Sequence, residues 1–119
     1  MKVINLGKEN SILNNFMAQM RDKDIQKDRM RFRRNLERIG EIFAYEISKT
    51  LDYSVKKVVT PLGIADVPTL DTPTVAATIL RAGLPLHQGI LNFLENSQSA
   101  FVAAYRKYDR GDSFHINIE

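Results

Sequence analysis

Residues 74–84 read Thr-Val-Ala-Ala-Thr-Ile-Leu-Arg-Ala-Gly-Leu, an unbroken apolar and β-branched run that ends in an arginine and a glycine. A strand with one wet face would alternate, so the continuous run predicts a strand buried on both faces of a parallel sheet. The next stretch, 84–96, has Pro85 at the first helical position and apolar residues at Leu86, Ile90, Leu91 and Leu94, which predicts a helix. Arg81, Ala82 and Gly83 then fall where strand gives way to helix. Open α/β sheets bind ligands at that edge, and a guanidinium beside the free N–H groups of a helix N-terminus favours an anion such as phosphate.

The pattern recurs at 99–105, Ser-Ala-Phe-Val-Ala-Ala-Tyr, followed by Arg106, Lys107 and Arg110. A right-handed strand, helix and strand unit makes the two strands parallel and brings both cationic ends to one edge. Arg81 and Arg106 are therefore expected to converge on one anion, on the premise that Val75 and Ile79 are buried. Around this unit, 24–51 predicts one long helix with an apolar stripe at Phe32, Leu36, Ile39, Phe43 and Ile47. Residues 2–6 predict a short edge strand, and 11–20 a short helix with Ile12, Leu13, Phe16, Met17 and Met20 inward. Segments 55–60 and 64–67 flank Pro61-Leu62-Gly63 and predict a projecting hairpin, while Pro68 and Pro73 bracket a connector. Phe114, Ile116 and Ile118 alternate with His115 and Asn117 as in a half-exposed strand, and Asp109-Arg110-Gly111-Asp112 predicts the turn before it.

Composition narrows the chemistry. The 119 residues include no cysteine, which removes disulfides, zinc-thiolate sites and thiol catalysis. No apolar stretch approaches the ~18 residues of a membrane span, and no secretory h-region follows Met1, so a cytoplasmic protein with no membrane partner is expected. The net charge is +3, and Lys23, Lys27, Arg31, Arg34 and Arg38 share the polar face of the long helix. Such a face can meet RNA, but Asp24, Asp28 and Glu37 lie among the cations and no Gly-aromatic ribonucleoprotein motif is present, so a solvated face is the preferred reading.

Other catalytic constellations are weaker. His87 and His115 lie far apart without carboxylates at metal-ligand spacing, so packing or solvent-facing roles are expected. Asp66 and Asp71 beside prolines fit turn chemistry, and Ser97 and Ser99 lack a Gly-x-Ser-x-Gly elbow. The plain alternative for Arg81 is a local ion pair with Asp71 or Glu95.

The hexapeptide Ile79-Leu80-Arg81-Ala82-Gly83-Leu84, followed by the pair Tyr105-Arg106, resembles the uracil phosphoribosyltransferase family. The likeness reaches upstream through Met20-Arg21-Asp22-Lys23-Asp24-Ile25 and Arg31-Phe32-Arg33 to Tyr45-Glu46. One local departure follows Arg106, where Lys107, Tyr108 and Asp109 stand in place of the family's acidic residues. The resemblance implies the N-terminal part of a type I phosphoribosyltransferase fold: an α/β domain with a parallel sheet flanked by helices and a small β-arm. On that reading residues 1–119 form one incomplete domain, with N-terminal helices in 10–51, a β-arm in 55–67, strand–helix–strand in 74–106 and a terminal strand in 113–118. The family's acidic strand end with a Thr-Gly-Gly loop, and its C-terminal uracil-recognition segment, do not occur in this sequence.

By the same resemblance, the complete enzyme joins uracil to phosphoribosyl pyrophosphate, giving UMP and pyrophosphate in pyrimidine salvage. Arg81, with Ala82 and Gly83, would lie in the loop that holds pyrophosphate, and Arg106 would also touch phosphoribosyl pyrophosphate. Related transferases carry a non-proline cis peptide in that loop, which a short chain could let relax to trans. Magnesium would arrive chelated by the substrate, a homo-oligomer and a GTP effector are implied for the full-length form, and residues 1–119 alone would be inactive. The alternatives are a pyrimidine-responsive RNA-binding regulator of the same fold and an oligomerisation module.

Overall fold

The computed structural model describes residues 1–108 and 114–119. Helix α1 spans Leu13–Arg21, a 3-10 turn covers Ile25–Lys27, and helix α2 spans Arg29–Ser48. Strands β1 (Tyr53–Thr60) and β2 (Gly63–Leu70) form an antiparallel hairpin. Strand β3 (Val75–Leu80), helix α3 (Leu84–Phe93), strand β4 (Gln98–Tyr108) and strand β5 (Phe114–Ile118) complete the chain.

The expected single helix over 24–51 is broken, and acidic side chains break it. The Asp22 carboxylate accepts the N–H groups of Asp24 (2.8 Å) and Ile25 (2.9 Å), which hold its pKa below the ordinary value and stabilise a turn. Asp28 then caps α2, accepting from the Arg31 N–H at 3.0 Å. The buried row of α2 is Asn35, Ile39, Gly40 and Ala44, rotated from the expected stripe, so that Phe43 and Ile47 are left 36% and 44% exposed. Ile12 likewise lies outside the core. Residues 2–6 form no strand; Ile4 and Leu6 lie beside Phe43 over a groove on α2, where no strand edge is available to pair with.

The rotation of α2 follows from a close crossing with α3. A Cβ on Gly40 would collide with the Leu86 carbonyl, and one on Gly89 would collide with the Glu37 carbonyl, so only glycine lets the two backbones meet. Asn92 on α3 fastens the crossing by donating to Glu37 (2.9 Å) and Glu41 (2.8 Å) on α2.

Strands β3 and β4 are parallel, with Val75 opposite Gln98 and Leu80 opposite Ala103. The sheet is nonetheless mixed, because β5 pairs antiparallel with β4, and its order is β3-β4-β5. Strand β3 is thus an edge strand covered on one face only. Ala76, Thr78 and Leu80 turn toward the α3 side, whereas Val75 is 64% and Ile79 60% exposed. The expectation of a doubly buried central strand fails, and with it the premise that burial forces the arginines together; the parallel register remains. On the open face Ile116 (61%) and Ile118 (72%) extend the apolar surface across β5. The side chain of Phe114 and the turn at Asp109-Arg110-Gly111-Asp112 lie outside the described residues.

The hairpin is longer than its sequence signal. Pro68 sits inside β2, opposite Val55, rather than in a connector. Its tip is Pro61-Leu62, closed by Gly63 at φ 137°, and its base is tied by Asp52 N–H to Thr72 Oγ1 (2.8 Å) and Asp71 N–H to the Asp52 carbonyl (3.1 Å). The long axis of the molecule measures 70 Å against 34 and 30 Å for the others.

Two measurements probe the α2–α3 crossing. Gly89→Ala pushes backbone against backbone and is expected to cost about 1–3 kcal/mol in urea unfolding; an unchanged midpoint would contradict the close crossing. The Glu37 carboxyl is held below its ordinary value of 4.5, first by the Asn92 hydrogen bond and then by Arg34. That contribution is present above the unfolded value and is lost as pH falls through the folded one. The stability difference between the native chain and Asn92→Ala should accordingly shrink as pH drops below 4.5.

Candidate functional site

The loop leaving β3 is built by a reversal over its own strand. The Gly83 N–H donates to the Ile79 carbonyl (3.2 Å) and the Leu84 N–H to the Arg81 carbonyl (3.2 Å), so the chain turns directly into α3. Gly83 is the N-cap in ordinary right-handed geometry, and it must be glycine for a packing reason: a Cβ would collide with Thr78 Oγ1 beneath it. Pro85 occupies the second helical position, one later than expected, and α3 stops at Phe93. The peptide bond between Leu80 and Arg81 is cis.

Arg81 is exposed, and among the described residues its side chain makes no ion pair or hydrogen bond. The local partners considered for it are at the wrong end of the strand. Asp71 and Glu95 flank a depression beside Thr74 and Ser97, at the amino end of β3, whereas Arg81 follows its carboxyl end. Six strand residues separate the two ends by about 20 Å. The backbone N–H groups of Arg81 and Ala82 also find no acceptor among the described residues. Ala82 and Gly83, with Ala77, Ile79 and Val102, line a depression of about 410 Å³ that opens onto the bare face of the sheet.

Arg106 does not sit at the same level as Arg81. It lies three positions beyond Ala103, the partner of Leu80, and so two residues, about 7 Å, further along the sheet than Arg81. It is embedded in the antiparallel ladder opposite Ile116, and strand alternation puts it on the open face with Ile79 and Val102. Tyr105 points to the opposite face, where its hydroxyl donates to Glu119 Oε1 (3.2 Å) and accepts from Asn117 Nδ2 (3.3 Å).

Three basic residues of α2 and the turn before it are neutralised by acidic neighbours. Lys27 pairs with Asp24 (3.1 Å), Arg31 with Asp28 (3.6 Å) and Arg34 with Glu37 (2.8 Å), while the Arg38 guanidinium lies over the Phe16 ring. His87 is buried against β4, with Nε2 3.1 Å from Ser99 Oγ and its ring 5.2 Å from that of Phe101. Its two packing partners come from a strand eleven or more residues away, so the helical pattern around it carried no signal of this contact. Among the described residues no group of three or more histidine, aspartate or glutamate side chains could hold a metal ion, and no helix is long and apolar enough to cross a membrane.

Residues 8–117 match the family model for uracil phosphoribosyltransferase. The chain belongs to the uracil phosphoribosyltransferase family. A uracil phosphoribosyltransferase from Porphyromonas gingivalis is 55% identical over all 119 residues, which span 55% of that relative. One from Sulfolobus acidocaldarius is 39% identical over 103 residues, covering 81% of this chain and 45% of the relative. The chain thus spans about half the length of the curated relatives it matches. The structure of the AQ2163 protein from Aquifex aeolicus superposes with a TM-score of 0.67 at 23% identity, over 92% of this chain and 51% of that one, and shares the fold.

Gly83→Ala tests how the loop is seated. The added methyl meets the Thr78 hydroxyl and lies 3.0 Å from the Ile79 carbonyl, so it must lift the loop. Amide chemical shifts of residues 80–86 should move while those of β1 and β2 stay fixed; a silent spectrum would mean that the loop does not rest on Thr78.

Proposed function

We propose that this chain supplies the pyrophosphate side of a uracil phosphoribosyltransferase site, in an enzyme that transfers phosphoribosyl from phosphoribosyl pyrophosphate to N1 of uracil, giving UMP and pyrophosphate. The observation that carries the reading is the Arg81 loop: an unpaired guanidinium and two open backbone N–H groups at the carboxyl end of a strand in a parallel pair. Membership of the family supplies the substrate class. Arg81 contributes charge to the departing pyrophosphate, Ala82 and Gly83 let the anion approach the backbone, and Arg106 adds a second cation along the same edge. Donors aimed at developing charge accelerate such a displacement because they need no reorganisation in the transition state.

Magnesium enters this reading on the substrate. The loop offers a guanidinium and backbone N–H groups and no carboxylate, a donor set that suits the oxygens of a pyrophosphate and not a bare cation. The uracil pocket and the cradle for the 5'-phosphate are assigned to sequence outside these 119 residues. The bare sheet face supports association, with that remaining sequence or with another copy.

Titration of the chain with magnesium phosphoribosyl pyrophosphate should give weak binding that perturbs the amides of Arg81, Ala82 and Gly83. Arg81→Ala should weaken it about tenfold, the scale of one charge-assisted hydrogen bond. Labelled uracil added to the same sample should yield no UMP. Turnover by the 119 residues alone, or unchanged affinity in Arg81→Ala, would overturn the assignment.

A further inference from the structure

A second concavity, of about 580 Å³, lies between the first turns of α2 and α3 and the near end of β4. It is on the covered side of the sheet, away from the bare face beside the Arg81 loop. Its walls are Met30, Leu84, Leu91 and the half-exposed ring of Phe101, and it is broadly open to solvent.

Two polar groups in it are unanswered. His87 is only 6% exposed, and its Nε2 is engaged with Ser99. Its Nδ1 makes no hydrogen bond among the described residues and is not fully enclosed, and the residue lines the concavity. At the rim, Arg33 has no ion pair or hydrogen bond from its side chain among the described residues. Its neighbour Arg34 is neutralised by Glu37, which in turn is held by Asn92. The concavity therefore carries one net uncompensated cation, an aromatic wall and one buried ring nitrogen.

We propose that this cleft binds a small planar aromatic monoanion, with the ring against Phe101, the anionic group on Arg33 and a polar edge toward His87 Nδ1. A flat ring gains stacking and apolar burial there, and the guanidinium selects the charge. The inference is independent of the role assigned to the Arg81 loop, because none of its residues belongs to that loop.

The test is an NMR titration of the 119-residue chain with 1-naphthoate, and with 1-naphthalenemethanol as the uncharged counterpart. Naphthoate should shift the His87 ring, Leu91 and Phe101, and Arg33→Ala should weaken it about tenfold while leaving the alcohol unaffected. Arg31→Ala, which removes a cation paired with Asp28, should leave both unchanged. Equal affinity for the two probes, absence of binding by naphthoate, or shifts confined to Val75, Ile79, Ile116 and Ile118 would overturn the proposal. So would sedimentation that shows self-association abolished by Phe101→Ala, since a second copy would then fill the cleft. Naphthoate binding at residues 81–83 instead would also reject it without touching the pyrophosphate reading, which rests on its own titration.

Discussion

The carboxyl edge of the sheet depends on how near α3 can come to α2. Gly40 and Gly89 remove the two side chains that would stand between the helix backbones, and the Asn92 bridge to Glu37 and Glu41 holds the crossing shut. Because α3 begins directly after Gly83, its position sets that of the loop behind it. Gly83 makes the second close approach, over Thr78, so the strand end and the helix start are held at van der Waals distance from one another. Three glycines thus locate an arginine that none of them touches.

The same edge shows what a half-covered sheet costs. Helix α3 lies over the face carrying Thr78 and Leu80, where Phe101 stays half-exposed, but Val75, Ile79, Ile116 and Ile118 on the other face meet solvent. Among the described residues, strand β3 also presents an unpaired hydrogen-bonding edge. Apolar side chains in that number on one face make a surface suited to burial, and the curated relatives are nearly twice as long as this chain.

Charge is arranged with equal economy. On and just before α2, Lys27, Arg31 and Arg34 pair with acidic neighbours one turn away, exposed pairs of small worth, while Arg33 makes no ion pair among the described residues. Arg81 differs because its candidate acidic partners stand at the far end of β3, beyond the reach of any side chain. An arginine left without a counter-ion among the described residues, on a glycine-seated loop, is the feature on which the proposed pyrophosphate role rests.

Local pattern by itself determined the hairpin, the strand–helix–strand unit, its parallel sense and the place of Arg81 at a strand end, because each rests on interactions within a few residues or on the handedness of one crossover. It also carried the family resemblance, through the hexapeptide 79–84 and Tyr105-Arg106. Tertiary structure alone decided which face of α2 is buried, since the row Asn35, Ile39, Gly40, Ala44 includes Gly40, which admits the α3 backbone, and Asn35, which is held by Gln19 of α1, and a hydrophobic stripe marks neither. It decided that Arg106 is displaced along β4 and seated beside Ile116, because register and the antiparallel partner β5 belong to pairing between strands. And it decided the exposure of β3, because an apolar run reports the environment its residues are suited to, whether or not the covering chain is present.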